Sequence, residues 1–221
     1  MGLSFHYKGR LTSASELNTF VEEVEDICKV FDWKFSVLNT EYPYDKFVSP
    51  LNEDDYGVIF TPDECEPVTL IFDSEGRIYN PWMKDIIAKH DEGQVKVITV
   101  QLNLDEEELN PIFTEDSEDF DPLDMVYTVS VKTQFTTAEQ HVKIIELLRY
   151  ISGKYFSDFE MIDESGYWTS RNPEKLDAKL NKVTEFIDRF EDMVSSEVIK
   201  SPEDFLKFIK KLSQEIKDKE K

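Results

Sequence analysis

An offset of 124 residues constrains this chain more than any other feature of its sequence. Residues 4–40 and 128–164 each read as strand, helix, strand, and they align at that offset without a gap. In the first unit Leu3, Phe5, Tyr7 and Leu11 alternate with Ser4, His6, Lys8 and Arg10, the period of a half-buried strand. Ser13 and Glu16 have capping-box spacing, and Leu17, Phe20, Val21, Val24, Ile27, Cys28 and Phe31 then recur at helical spacing. "WKFSVLN" supplies the second strand. The second unit repeats the order with "MVYTVSVKTQF", a Thr136–Glu139 capping pair, a helix over 137–156 and the strand "FEMID". Leu11 meets Phe135, Val21 meets Ile145, Val24 meets Leu148 and Phe31 meets Tyr155. Six aligned pairs are identical, among them Ala14/Ala138 and Ile27/Ile151. The matched buried pattern through three consecutive elements is the stronger signal of a repeat, and shared fold constraints are the alternative source of it.

Two such units predict an α+β domain. Its sheet is expected to be mixed or mainly antiparallel, with both helices on one face and a pseudo-twofold axis between the units. A helix-grip fold, its sheet wrapped around the 137–156 helix over a ligand cavity, is the alternative architecture. Further strands are predicted near 56–60, 67–73, 76–80 and 95–104, with "DSEG" turning the chain at 73–76. Asn80 and Pro81 are placed to start a short helix ending near His90. Beyond 171, Asn172 caps and Pro173 opens a helix carrying Leu176, Leu180, Val183, Ile187, Phe190 and Val194. Ser201 and Pro202 repeat the device ahead of Phe205, Ile209, Leu212 and Ile216. The expected organisation is therefore an acidic domain over 1–171 with a C-terminal αα-hairpin over 172–221 packed on it.

Charge narrows the partners. The net charge is −22, yet residues 172–221 hold eleven Lys or Arg against twelve Asp or Glu, which leaves −21 on residues 1–171. Such a field repels nucleic acid and anionic lipid and attracts basic protein surfaces. Residues 105–124 carry ten acids, no Lys or Arg, and the interleaved Phe113, Phe120 and Leu123; this stretch is expected to be a mobile or partner-ordered loop. It has neither register of an EF-hand, because Phe120 or Leu123 would fall on a ligand position. The two cysteines form no CxxC or disulfide pattern, no apolar run reaches membrane-span length, and the N-terminus lacks signal-peptide regions. A reducing cytoplasm is the expected compartment.

Signatures of phosphate loops, serine-hydrolase elbows and zinc proteases are absent, and no cofactor or metal site is expected. His6 falls on the polar face of the first strand, and His90 near a helix end. His141 is different: it takes the place of Leu17 in the repeat, within an apolar helix stripe. The expectation is a histidine at the core edge with a hydrogen-bonding partner, because buried polar groups are normally paired. "DESGYWTSR" sets Asp163, Glu164, Tyr167, Trp168 and Arg171 at the end of a strand, residue types that anchor binding surfaces. With His141 these five form the candidate binding set; no catalytic residue is assigned. The leading function is a non-enzymatic interaction protein, an inhibitor or immunity-type partner of a basic protein. The alternatives are a small-molecule pocket near His141 and a hydrolase without recognisable motifs.

Overall fold

The computed structural model describes residues 3–43, 46–47, 55–83, 89, 99–101, 112–114, 125–196 and 207. Its strands are β1 (Ser4–Leu11), β2 (Lys34–Val37), β3 (Tyr56–Thr61), β4 (Val68–Phe72), β5 (Thr99–Gln101), β6 (Ile112–Thr114), β7 (Val129–Lys132) and β8 (Phe156–Asp163). Its helices are α1 (Leu17–Phe31), α2 (Ala138–Tyr155), α3 (Tyr167–Ser170) and α4 (Pro173–Ser196). The chain is α+β, and every described ladder is antiparallel.

The one sheet expected from the two units is instead divided into two three-stranded sheets, ordered β7-β1-β8 and β2-β3-β4, beside a β5-β6 ribbon. The reason lies in the partners each strand finds. The β3–β4 pair gives β2 an antiparallel neighbour, whereas β8, which the sequence offset aligns with β2, pairs with β1 from Phe5 to Leu11. The other edge of β1 is shared. Ser4 to Tyr7 pair with β7, while the Gly9 carbonyl accepts from Ile78 N–H at 2.8 Å and Leu11 N–H donates to the Gly76 carbonyl at 2.9 Å. The expected strand at 76–80 is thus a stitch between the sheets, with isolated bridges Arg10↔Arg77 and Phe72↔Ile78. Gly76 closes the predicted turn, donating to the Asp73 carbonyl at 3.0 Å with a φ of 77°.

Gly57 shows why β3 needs a glycine. Its φ is 121°, and a Cβ there would stand 2.1 Å from the Leu70 carbonyl oxygen of the paired strand. Both sheets and the helices share one core, in which Phe5, Tyr7, Leu17, Phe20, Phe60, Leu70, Phe72, Ile144 and Leu148 are buried. Phe20 sits edge-on to Phe72 and to Tyr155, each at 5.4 Å between centroids, which welds α1 to β4 and to the end of α2. Leu176 and Leu180 of α4 enter the same cluster, so the first turns of that helix belong to the main core.

The helix signals fall close to their predicted places. Asn172 Oδ1 accepts from Lys175 N–H at 3.0 Å, as the Asn-Pro start of α4 requires. Asn80 Oδ1 likewise accepts from Trp82 N–H at 3.1 Å. The α2 cap is Thr137, whose hydroxyl accepts from Gln140 N–H, and not Thr136. Thr136 is buried and donates instead to the Asp63 carbonyl at 2.9 Å, so tertiary contact shifts the cap by one residue. Within the stretch expected to be an acidic loop, Ile112–Thr114 pair with β5; a β-branched and aromatic triplet finds a ladder there. The rest of 105–124 lies outside the described residues, as do His90 and, apart from Lys207, the second helix of the expected C-terminal hairpin. No described helix is long and apolar enough to cross a membrane.

Candidate functional site

His141 stands one turn into α2, and its side chain is wholly buried. Nδ1 lies 2.9 Å from Thr133 Oγ1, at the end of β7, and Nε2 lies 3.1 Å from Ser165 Oγ, in the turn after β8. Nε2 is also 3.5 Å from Asp163 Oδ1, the last residue of β8, whose side chain is wholly buried as well. The Phe5 ring meets the imidazole edge-on at 6.1 Å. Three elements separated in sequence therefore converge on one ring.

Proton placement follows from valence. Ser165 has one hydroxyl proton, and it donates that proton to Asp163 Oδ2 at 2.7 Å. Its oxygen accepts from Tyr167 N–H at 3.1 Å and is left to accept from His141 Nε2, which must then carry a proton. Nδ1 either accepts from the Thr133 hydroxyl or donates to it, the hydroxyl then turning to the Leu3 carbonyl 3.3 Å away. Asp163 also accepts from Ser165 N–H and Trp168 N–H, both at 2.8 Å. Burial by itself would raise the Asp163 pKa; the hydrogen bonds from His141, Ser165 and Trp168 N–H outweigh it and hold the carboxyl down to about 2.

Serine, histidine and aspartate meet here, but not as a nucleophilic triad. In a triad the aspartate orients one ring nitrogen while the serine gives its proton to the other. Here serine and aspartate share the Nε2 side, the serine proton belongs to the aspartate, and Ser165 is 7% exposed. The arrangement is a clamp: it fixes the start of α3 and the end of β8 against α2. Thr133 and Ser165 complete it, and sequence reading missed both; the only local cue was Ser165 in the turn two residues past the strand.

The remaining predicted residues separate. Tyr167 is buried at the start of α3, and desolvation raises its pKa. Glu164 ties strand to helix: Oε2 accepts from Ser4 N–H at 2.7 Å, and its carbonyl accepts from Lys179 Nζ. Trp168 is half-buried against Phe159, with the Arg149 guanidinium 4.3 Å over its ring and donating to its carbonyl. Arg171 is exposed at a φ of 50°, where it ends α3. Of the six, His141 and Asp163 come into direct side-chain contact. Among the described residues no group of three or more His, Cys, Asp or Glu is placed to hold a metal ion.

The open concavity lies elsewhere. A groove of about 610 Å³ runs between α1 and α2. The helices are antiparallel there: Glu23 of α1 meets Tyr150 and Lys154 near the end of α2, while Phe31 meets Lys143 nearer its start. Glu23 accepts from Tyr155 at 2.5 Å, Tyr150 at 2.6 Å and Lys154 at 2.9 Å. Desolvation opposes its charge, but these three donors lower the Glu23 pKa, and the same contacts raise that of Lys154. Ile27 and Phe31, placed in the buried stripe by periodicity, are only half-buried and turn toward this groove. Val30, outside that stripe, is 79% exposed beside it, and Tyr150 is 48% exposed. An apolar residue at Val30, on an otherwise charged helix face, was the one sequence cue.

Comparison with family models, with curated proteins and with solved structures finds no match for this chain.

Proposed function

We infer that this protein is an acidic interaction module that binds a basic protein partner, of the inhibitor or immunity type, and acts without catalysis of its own. What supports the reading is the charge, −22 over 221 residues, carried on a scaffold with an open acid-lined groove. The Ser165–His141–Asp163 constellation supports it from the other side, since its side-chain polar atoms are engaged by one another, by Thr133 and by backbone N–H groups, and lie inside the protein. The 124-residue offset fits a duplicated strand–helix–strand scaffold whose second copy exchanged the leucine slot for the histidine clamp. The same charge disfavours nucleic acid and anionic membranes as partners. Both free thiols, Cys28 and Cys65, suit a reducing cytoplasm.

The test is affinity capture from the source cell's extract with the full chain immobilised, eluted in steps of salt. A basic protein that elutes only at raised salt and re-forms a stoichiometric complex with the purified chain is the expected result. Retention of acidic or neutral proteins alone would remove the reading.

A further inference from the structure

We propose that the groove between α1 and α2 is the docking site for a basic amphipathic helix of the partner; this rests on the acidic-partner reading above. The floor is apolar: Ile27, Phe31 and the Tyr150 ring lie along it, with Val30 at its lip. The α1 wall carries Glu22 and Asp26, one helical turn apart and both exposed. The neighbouring lysines are engaged: Lys154 by Glu23 at 2.9 Å, Lys143 by Glu139 at 2.7 Å, and Lys29 by both Glu25 at 2.9 Å and Asp26 at 3.3 Å. Asp26 is thus partly offset by Lys29, whereas Glu22 accepts from the uncharged Asn18 amide at 3.0 Å, so the α1 wall keeps a surplus of carboxylates. From Thr19 to Phe31 the α1 wall spans about 18 Å, about three turns of a docked helix at ~1.5 Å per residue.

Two features select the occupant. An exposed valine with a half-exposed tyrosine asks for an apolar stripe in return, the recognition mode of a helix laid in a groove. A carboxylate wall asks for Lys or Arg flanking that stripe and rejects an acidic helix by repulsion. The groove is too open to enclose a small molecule, because its wall residues Glu22, Asp26 and Val30 are all exposed. A second copy of this chain would bring its own net charge of −22 to the same surface.

The experiment measures binding of the full chain to a fluorescent Leu/Lys amphipathic peptide of about three to four helical turns. A Lys/Gly peptide of equal charge and a Leu/Glu amphipathic peptide serve as controls. Variants are Val30→Lys, the pair Glu22→Gln/Asp26→Asn, and the pair Asp158→Asn/Glu160→Gln on exposed positions of β8. The two pairs remove the same charge, and circular dichroism confirms that all variants fold. The Leu/Lys peptide is expected to bind, with about tenfold loss in Val30→Lys and in the groove pair and less than about twofold loss in the β8 pair. If both pairs weaken binding equally, or if the Lys/Gly peptide binds as well, the groove is not the site, although the acidic-partner reading survives. If neither basic peptide binds at low salt, that reading falls with it. Concentration-dependent dimerisation abolished by Val30→Lys would make a second copy the occupant and overturn the proposal.

Discussion

His141→Leu puts at position 141 the residue that the 124-residue sequence offset aligns with it, Leu17, so packing alone predicts a neutral or stabilising change. The structure predicts the opposite. Leucine would gain roughly 1–2 kcal/mol of apolar burial. Against that, Asp163 loses a wholly buried partner, and two hydroxyls lose the ring nitrogens they face at 2.9 and 3.1 Å. Breaking one side of a buried, hydrogen-bonded charge costs about 3–5 kcal/mol. Asp163 keeps its bonds from Ser165 and Trp168 N–H, which puts the net loss near ~2 kcal/mol. Asp163 can be sized independently. Its pKa falls from the ordinary 3.8 to about 2, and at 1.36 kcal/mol per unit the ionised form supplies about 2 kcal/mol of stability. A depressed carboxyl contributes above its unfolded pKa, so this stability is present above about pH 4 and lost as pH falls toward 2. Chemical denaturation of wild type, His141→Leu, Asp163→Asn and the double variant, at neutral pH and near pH 3, measures all of this. The two single variants should each lose ~2 kcal/mol, the double variant less than their sum by at least ~1 kcal/mol, and Asp163→Asn should shed the acid-dependent limb. Equal or greater stability of His141→Leu, or strict additivity, would refute the clamp.

Three further perturbations check other parts of the structure. Gly57→Ala should cost at least ~2 kcal/mol in denaturant melts, because φ is 121° and the added Cβ meets the Leu70 carbonyl at 2.1 Å; an unchanged midpoint would contradict the β3–β4 register. Glu23→Gln should cost ~1 kcal/mol by loosening the α1–α2 tie. The loss should be seen above about pH 4.5 and fade below it, since the Glu23 pKa lies under its ordinary 4.5, and a pH-independent loss would show that charge plays no part. Burial pushes both thiols up to about 12, Cys28 with help from Glu25 and Cys65 with help from Glu66. Neither should react with a disulfide reagent near pH 8 in the native protein, and both should in denaturant; a fast native reaction would place that cysteine elsewhere.

Much of the fold was legible. Alternating residues marked β1, a helical stripe marked α1 and α2, and Asn172-Pro173 marked the start of α4 to the residue. The candidate site was legible in part. The Leu17 equivalence placed His141 inside, and a partner was required, but neither Thr133 nor Ser165 could be named. The five candidate residues between 163 and 171 do not share one surface: Tyr167 and Asp163 turn inward, Trp168 is half-buried, and Glu164 and Arg171 are the exposed members of the five.

Periodicity in the chain decided which face of each element is apolar, and composition decided the sign and size of the field around it. Tertiary structure alone decided that β2 leaves the sheet of β1, that Thr137 and not Thr136 caps α2, and that a groove opens where Ile27 and Phe31 were expected to be covered. The physical reason is the range of the interactions. Side-chain period is written within a few residues, whereas the His141–Ser165 contact joins residues 24 apart and the Tyr7–Thr69 contact residues 62 apart, and no local pattern records which distant segment will be there.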